Sequence, residues 1–83
     1  MPYIKQVDRR QIDGIVSNMA HCRVQANGDL NYILFKFCSL YVKPSYNNYK
    51  NYIGELRQCA SEIERRILAP YEDTKILENG DVL

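Results

Sequence analysis

The sequence has no tryptophan, one histidine and three cysteines, and these small numbers argue against several kinds of site. The cysteines, Cys22, Cys38 and Cys59, are an odd number, widely spaced, and form no Cys-x-x-Cys pair. A structural zinc site needs four nitrogen or sulfur ligands at close paired spacing, so these thiols and His21 do not predict a metal centre. We expect free, buried thiols in a reducing compartment.

The residues that catalysis requires are equally scarce. A Ser-His-Asp or Cys-His arrangement would have to use His21, and its neighbour Cys22 diverges from it on consecutive helix positions. The four glycines are isolated and form no phosphate-binding loop. We therefore predict a protein that is not an enzyme, with no catalytic residue and no cofactor. The enzymatic alternative is a site composed across subunits.

Long apolar runs and a strong charge of one sign are also missing. No run reaches the roughly 18 apolar residues of a membrane span, and the N-terminal MPYIKQVDRR lacks the apolar region of a signal peptide. A formal net charge of +1 does not favour nucleic acid or an anionic membrane as partner. We expect a cytoplasmic protein with no membrane, DNA or RNA partner.

Tyrosine is abundant and charge is unevenly distributed. With 83 residues the chain allows one domain, 1–83, and seven of its nine aromatic residues are Tyr. Tyr suits interfaces and pocket rims, although the edge of a helical core is an equal alternative. Between Lys5 and Lys50 there are seven basic and three acidic residues, whereas the stretch 71–83 has four acidic residues and one lysine. This asymmetry would let the C-terminal tail fold back on the body or dock on a neighbouring copy.

The first predicted helix spans about 8–25. Asp8 and Gln11 match a capping box, in which Asp8 accepts from first-turn amides and Gln11 reaches back. Gly28 is available as the left-handed stop after the helix. The apolar residues at helical spacing are Ile12, Ile15, Val16, Met19 and Ala20.

The second predicted helix spans 30–42 and is capped by Asp29. Its apolar residues lie nearly all round the helix, which is typical of a helix buried on several sides. Two other helices of so short a chain do not cover such a surface, so we expect burial against a second copy of the protein. The alternative is a β-strand over the run YILFKF, Tyr32 to Phe37.

The third predicted helix spans 45–68 and carries the clearest periodicity. Ser45 follows Pro44 and can cap it, while Pro70 is expected to end it. The apolar residues recur at spacings of three and four, as in a heptad seam, at Tyr46, Tyr49, Ile53, Leu56, Ala60, Ile63 and Ile67. The tail, 71–83, can hold one more turn over 72–78, closed by Asn79-Gly80. The sequence thus predicts an all-α, three-helix domain with a short C-terminal tail that oligomerises.

The first candidate ligand site lies where the long helix is expected to end. Arg65 and Arg66 can grip phosphate or carboxylate, with Lys75 as a further cation. Tyr71 offers a ring on which a base could stack, and Tyr3 is a second candidate for that role. The alternative is structural, because arginines near a helix C-terminus also interact with the macrodipole and pair with residues such as Glu62.

The second candidate is the helix start around Gly28-Asp29-Leu30-Asn31-Tyr32. Free amides and the positive end of the helix dipole suit an anion, and Asn31 would read polar edges of a ligand beside Tyr32. Since Asp29 already uses an amide and adds negative charge, capping alone is the competing interpretation.

Three segments resemble a family of small uncharacterised proteins of bacteriophages and bacteria. They are GDLNYILFKF at 28–37, NYIGELRQCASEIERRILAPYED at 51–73 and KILENGDVL at 75–83, and the start MPYIKQ also looks like that of the family. The sequence departs from the family pattern at Leu83, where we would expect an aromatic residue. The family has no established activity, so the resemblance implies a phage or prophage origin and, if phage-encoded, a location in the host cytoplasm.

These features lead to two functional hypotheses. The first is a phage-type accessory protein, homo-oligomeric, that binds and sequesters a small anionic ligand such as a nucleotide immune signal. Such a sponge against host defence needs no catalytic residues. The second is a protein–protein adaptor that has no small-molecule ligand and grips its partner with the tail and the Tyr-rich faces.

Overall fold

The computed structural model describes residues 4–83, and most of this range is helical. No strand occurs within it, so the all-α, three-helix fold is confirmed and the strand alternative for Tyr32 to Phe37 is wrong. The elements in chain order are a 3-10 turn (Gln6–Asp8), α1 (Arg10–His21), α2 (Asp29–Tyr41), α3 (Tyr46–Ile63), a π-helical segment (Glu64–Leu68) and α4 (Ala69–Asn79).

The chain divides into two units at the break between α2 and α3. The first unit is Met1–Val42 and the second is Lys43–Leu83. Pro44 disfavours the helical conformation at Lys43, which explains why α2 does not run directly into α3. The first unit contains the 3-10 turn, α1 and α2, in that order. In the second unit, α3, the π-helical segment and α4 form one uninterrupted helical run.

The capping box predicted at Asp8 is wrong. Asp8 lies in the 3-10 turn, where its amide donates to the carbonyl of Lys5 at 2.9 Å. Helix α1 begins two residues later, and its N-cap Arg9 has a helical backbone and no side-chain cap hydrogen bond. Because a capping side chain reaches the first amides from an extended residue, the 3-10 turn removes the geometry that a capping box needs.

Helix α1 also ends earlier than predicted, without using Gly28 as its stop. Arg23 adopts the left-handed conformation with φ of 59° directly after the C-cap Cys22. The Val24 amide donates to the Met19 carbonyl at 3.1 Å and the Arg23 amide to the Ala20 carbonyl at 3.0 Å. These two bonds form a Schellman motif, which satisfies carbonyls of the last turn.

The start of α3 is as predicted. Ser45 has an extended backbone, and its Oγ accepts from the Asn48 amide at 3.0 Å. The Asn48 side chain in turn donates to the carbonyl of Lys43 at 3.0 Å. The cap therefore fixes the chain on both sides of Pro44.

Pro70 does not end the helical run, contrary to the prediction. The π-helical segment follows α3 directly, and there the Ala69 amide donates to the carbonyl of Glu64, five residues back. Pro70 then lies in the first turn of α4. A first-turn position tolerates proline, because its missing N–H has no α-helical acceptor to lose, and the wider π turn supplies a new helix start inside the run. The tail beyond the helix is therefore only Gly80–Leu83, and the turn predicted at Asn79-Gly80 is where α4 ends.

No residue of the described range is buried. Cys22 and Cys59 are exposed and Cys38 is half-buried, so the thiols are free as expected but not buried as expected. The apolar residues of α2 are likewise exposed or half-buried, including Phe35 at 75% and Leu40 at 59%. Between residues 4 and 83, no helix has both the length and the apolar character that crossing a membrane requires.

Two glycines give opposite predictions for stability. Gly54 lies within α3, and a Cβ placed there meets no atom within 4 Å. Gly54→Ala should raise the free energy of unfolding by up to about 1 kcal/mol, because alanine restricts the unfolded chain and favours helix.

Gly28, at the N-cap of α2, has φ of +119°, so Gly28→Ala should be destabilising through backbone strain alone. Urea unfolding followed by circular dichroism measures both, and equal effects of the two substitutions would contradict this account.

Candidate functional site

Arg65 and Arg66 converge on one carboxylate, that of Glu62. The Arg65 Nη2 atom donates to both carboxylate oxygens, at 2.9 and 3.1 Å, and Arg66 Nη1 lies 3.8 Å from Oε2. The pairing of the arginines with Glu62, which is the structural alternative for this cluster, is thus present, and Arg65 makes the closer contact. Both arginine side chains stay exposed, at 69% and 60%. Two guanidiniums share one carboxylate, so the cluster has one positive charge in excess.

Tyr71 and Lys75 meet one another further along, on α4. The Lys75 ammonium lies 5.5 Å from the centroid of the Tyr71 ring, within the range of a cation–π contact. The same ammonium is 3.1 Å from Glu78 Oε2, one helical turn on. The Tyr71 side chain remains 57% exposed. This pair presents an aromatic ring and a cation side by side on one helical face.

The structure therefore groups the four residues of the first candidate site into two pairs. Arg66 and Tyr71 are five positions apart, and these five steps place them roughly 100–140° apart around the helix axis, since π-helical residues turn less than α-helical ones. The arginines and the Tyr71–Lys75 pair thus point to different sides of the same helical run. Long arginine side chains can extend along a helix, but one rigid pocket made by all four residues is not formed on this chain alone.

The second candidate site is occupied by its own capping contacts. The α2 amides of Asp29 and Leu30 donate to the Asn27 side chain at 3.4 Å and the Gln25 carbonyl at 3.2 Å. The prediction that Asp29 caps α2 is wrong, because Asp29 is the first residue of the helix and Gly28 is its N-cap. The Asp29 carboxylate instead accepts from the Gln25 amide of the preceding turn, at 3.3 Å. Two of the amides that an anion would need are already bound.

Among the remaining predicted ligand residues, Tyr32 has a clear partner and Asn31 is exposed. Lys36 donates to the Tyr32 hydroxyl at 2.9 Å, and its ammonium lies 5.2 Å from the ring centroid. Tyr3 lies outside the described residues. The tyrosine and asparagine are consecutive on α2 in the first unit, whereas the arginines belong to the second unit.

A repeated local contact was missed by the sequence reasoning. Tyr32–Lys36, Tyr46–Lys50 and Tyr71–Lys75 all have a lysine four residues after a tyrosine, and in each the ammonium lies 5.2–5.9 Å from the ring centroid. The spacing itself was the available signal, because residues four apart lie on the same helix face. In the described range no group of three His, Cys, Asp or Glu is placed to hold a metal ion.

The Tyr32–Lys36 contact predicts a measurable pKa effect. The hydrogen bond from the ammonium to the Tyr32 oxygen raises the pKa of Lys36, since it favours the charged form. The contact stabilises α2 below the pKa of Lys36 in the unfolded chain, and this effect is lost as pH rises through the higher folded-state pKa. Tyr32→Phe keeps the ring but removes the hydroxyl, so the pKa of Lys36 should fall towards its ordinary value.

An NMR titration of the Lys36 side chain measures this change. Tyr46→Phe on α3 is the matched control and should leave the Lys36 titration unaltered. A Lys36 pKa that is the same in Tyr32→Phe and in the parent chain would contradict the contact.

The comparisons with known proteins identify a family but no characterised relative. No curated protein and no solved structure matches the chain. The family described as "Domain of unknown function (DUF6899)" matches residues 1–82. Because the match covers nearly the whole chain, the protein belongs to the family Domain of unknown function (DUF6899).

Proposed function

We propose that the protein is a phage-type accessory protein that assembles from identical copies and binds a small anionic ligand, a nucleotide, so as to sequester it. In this role it would act in the host cytoplasm against a nucleotide immune signal. The proposal needs no catalytic residue, because sequestration lowers the free concentration of the signal by binding alone.

The observation that carries the ligand proposal is the Tyr71–Lys75 pair. A nucleotide combines an aromatic base with an anionic phosphate, and an exposed ring beside an ammonium matches both parts. Base stacking on an aromatic side chain is worth about 1–3 kcal/mol, so one such ring contributes measurably to affinity. The excess positive charge at Arg65 and Arg66 supports the same ligand class, since guanidinium binds phosphate in a bidentate manner.

Self-assembly is supported by the exposed apolar surface. No residue from Ile4 to Leu83 is buried, although 46% of the sequence is hydrophobic. Burying one large aliphatic or aromatic side chain is worth roughly 1.5–3 kcal/mol, so identical copies gain much by covering one another. Assembly also supplies a route by which the arginines of one copy approach the Tyr71–Lys75 pair of another. The phage origin rests on the sequence resemblance.

Binding of nucleotides by single-residue variants tests the ligand proposal. We expect micromolar or tighter binding of at least one member of a panel of cyclic and linear nucleotides in isothermal titration calorimetry. Tyr71→Ala should weaken that binding at least about ten-fold, the equivalent of 1.4 kcal/mol. Tyr46→Ala removes the ring of a similar Tyr–Lys pair on α3 and should leave the affinity unchanged. If no nucleotide binds, or if both variants lose binding equally, the ligand proposal fails.

Glu62→Gln tests the role of the arginines through an expected gain of nucleotide affinity instead of a loss. The substitution removes the carboxylate that accepts from Arg65 and lies near Arg66, so both guanidiniums become more available to phosphate. We expect tighter nucleotide binding and a steeper loss of affinity with added salt. A purely structural role for the arginines predicts instead a less stable helix and an unchanged affinity, which thermal unfolding of the same sample distinguishes.

The exposed apolar residues of α4 favour a second candidate, the protein–protein adaptor. Leu77 is 86% exposed and Tyr71 57% exposed, although they lie on a well-formed helix. As an adaptor the protein would hold a host or phage protein by this helix. Leu77→Gln in a tagged full chain should then release that protein in a pull-down, while nucleotide binding in calorimetry stays as it is. Retention of every captured protein by Leu77→Gln would contradict the adaptor.

A further inference from the structure

The apolar seam that begins on α3 is an exposed surface with a regular heptad spacing. We define the seam by six residues: Tyr49, Ile53, Leu56, Ala60 and Ile63 of α3, together with Ile67 of the π-helical segment that continues it. All six are exposed, and the exposed fraction of the five large residues ranges from 37% at Leu56 to 64% at Ile67. We propose that two copies pair their α3 seams in antiparallel orientation around a two-fold axis near Gln58. This inference rests on the proposed self-assembly and specifies its interface.

The sizes of the seam residues favour the antiparallel orientation. In parallel pairing each residue meets its own counterpart, so Ala60 faces Ala60 and leaves space between the helices. In antiparallel pairing about Gln58, Leu56 of one copy faces Ala60 of the second copy, and the larger side chain fills the space beside the smaller one. The same register places Ile53 against Ile63 and Tyr49 against Ile67. Every layer therefore combines two different residues, and no layer contains two alanines.

The charges that flank the seam favour the same orientation. Lys50, Arg57 and Glu64 occupy one edge of the seam, each following a seam residue of the same heptad position. In the antiparallel register Lys50 faces Glu64 of the second copy, and the symmetry makes two such attractive pairs. Arg57 faces Arg57, which is one repulsive pair between long, exposed side chains. In parallel pairing this edge faces the opposite edge of the second copy, which is the edge that carries Cys59. Lys50, Arg57 and Glu64 then form no attractive pair with one another.

Cys59 supplies a direct reporter of the register. It is exposed, free and located on the other edge of the seam from Arg57. Around a two-fold axis near Gln58, Cys59 of one copy lies beside Cys59 of the second copy. Packed helix axes are about 8–10 Å apart, so the two thiols come within the span of a short crosslinker. In a parallel pair the two Cys59 thiols would lie on opposite sides of the interface.

The first test is crosslinking of the full chain with a short bismaleimide. Each thiolate adds to one maleimide double bond, so the reaction forms two thioether bonds without an oxidant. With Cys22→Ser and Cys38→Ala, which keep only Cys59, we expect a covalent dimer as the main product at micromolar protein. The matched control keeps only Cys22, through Cys38→Ala and Cys59→Ser, and should remain at the monomer mass. Circular dichroism shows whether each variant keeps its helical content.

The second test is a charge exchange, read by sedimentation equilibrium. Lys50→Glu should weaken the dimer about ten-fold, because two attractive pairs become repulsive, and Glu64→Lys should do the same. The double variant Lys50→Glu/Glu64→Lys should restore the dissociation constant of the parent chain to within about two-fold. A parallel pair or an interface elsewhere predicts no restoration.

The outcomes separate this inference from the proposed function. An oligomer without Cys59 crosslinking and without charge restoration overturns the antiparallel α3 pair and leaves nucleotide sequestration standing. A monomer that binds nucleotide overturns both the pair and self-assembly. Crosslinking and restoration without any nucleotide binding support the pair and overturn the ligand proposal.

Discussion

The rest of this structure depends on one constraint, which is that the apolar faces of its helices have to be covered. The helices carry regular apolar faces, yet no residue of the described range is buried. A chain of this length buries only roughly 60% of the surface that its unfolded form exposes, so small domains depend on additional contacts. The seam on α3 shows the consequence most clearly, because a heptad pattern is normally covered by another helix. The proposed assembly from identical copies answers this constraint.

Local contacts explain the helices themselves. Ser45 caps α3, a Schellman motif closes α1, and ion pairs at spacings of three and four link Glu62 with the arginines and Lys75 with Glu78. Contacts between exposed charges are individually weak, at about 0.2–1 kcal/mol. They define where helices begin, end and continue, but they do not bury apolar surface. The same local contacts also engage the side chains proposed to bind an anion, so ligand and helix would compete for them.

Several features followed from residue spacing because their physics is local. The positions of the three helices, the Ser45 cap and the pairing of Glu62 with Arg66 involve residues within four positions of one another. The errors arose where two local preferences compete. Asp8 is a favourable N-cap residue, but it lies within a 3-10 turn. Pro70 normally ends a helix, but the π-helical segment places it in the first turn of α4. Spacing alone does not decide which preference prevails, because each alternative satisfies the backbone hydrogen bonds.

The sequence by itself determined the helical class, the heptad seam and the chemical character of Arg65, Arg66, Tyr71 and Lys75, since periodicity and side-chain chemistry need no long-range contact. Only the three-dimensional structure decided how those four residues are grouped. Rotation about the helical run from Glu64 to Asn79 separates the arginines from the Tyr71–Lys75 pair, and the π-helical segment that sets this rotation has no simple sequence signal. The structure also decided that the apolar residues stay exposed, because burial depends on which surfaces meet in space.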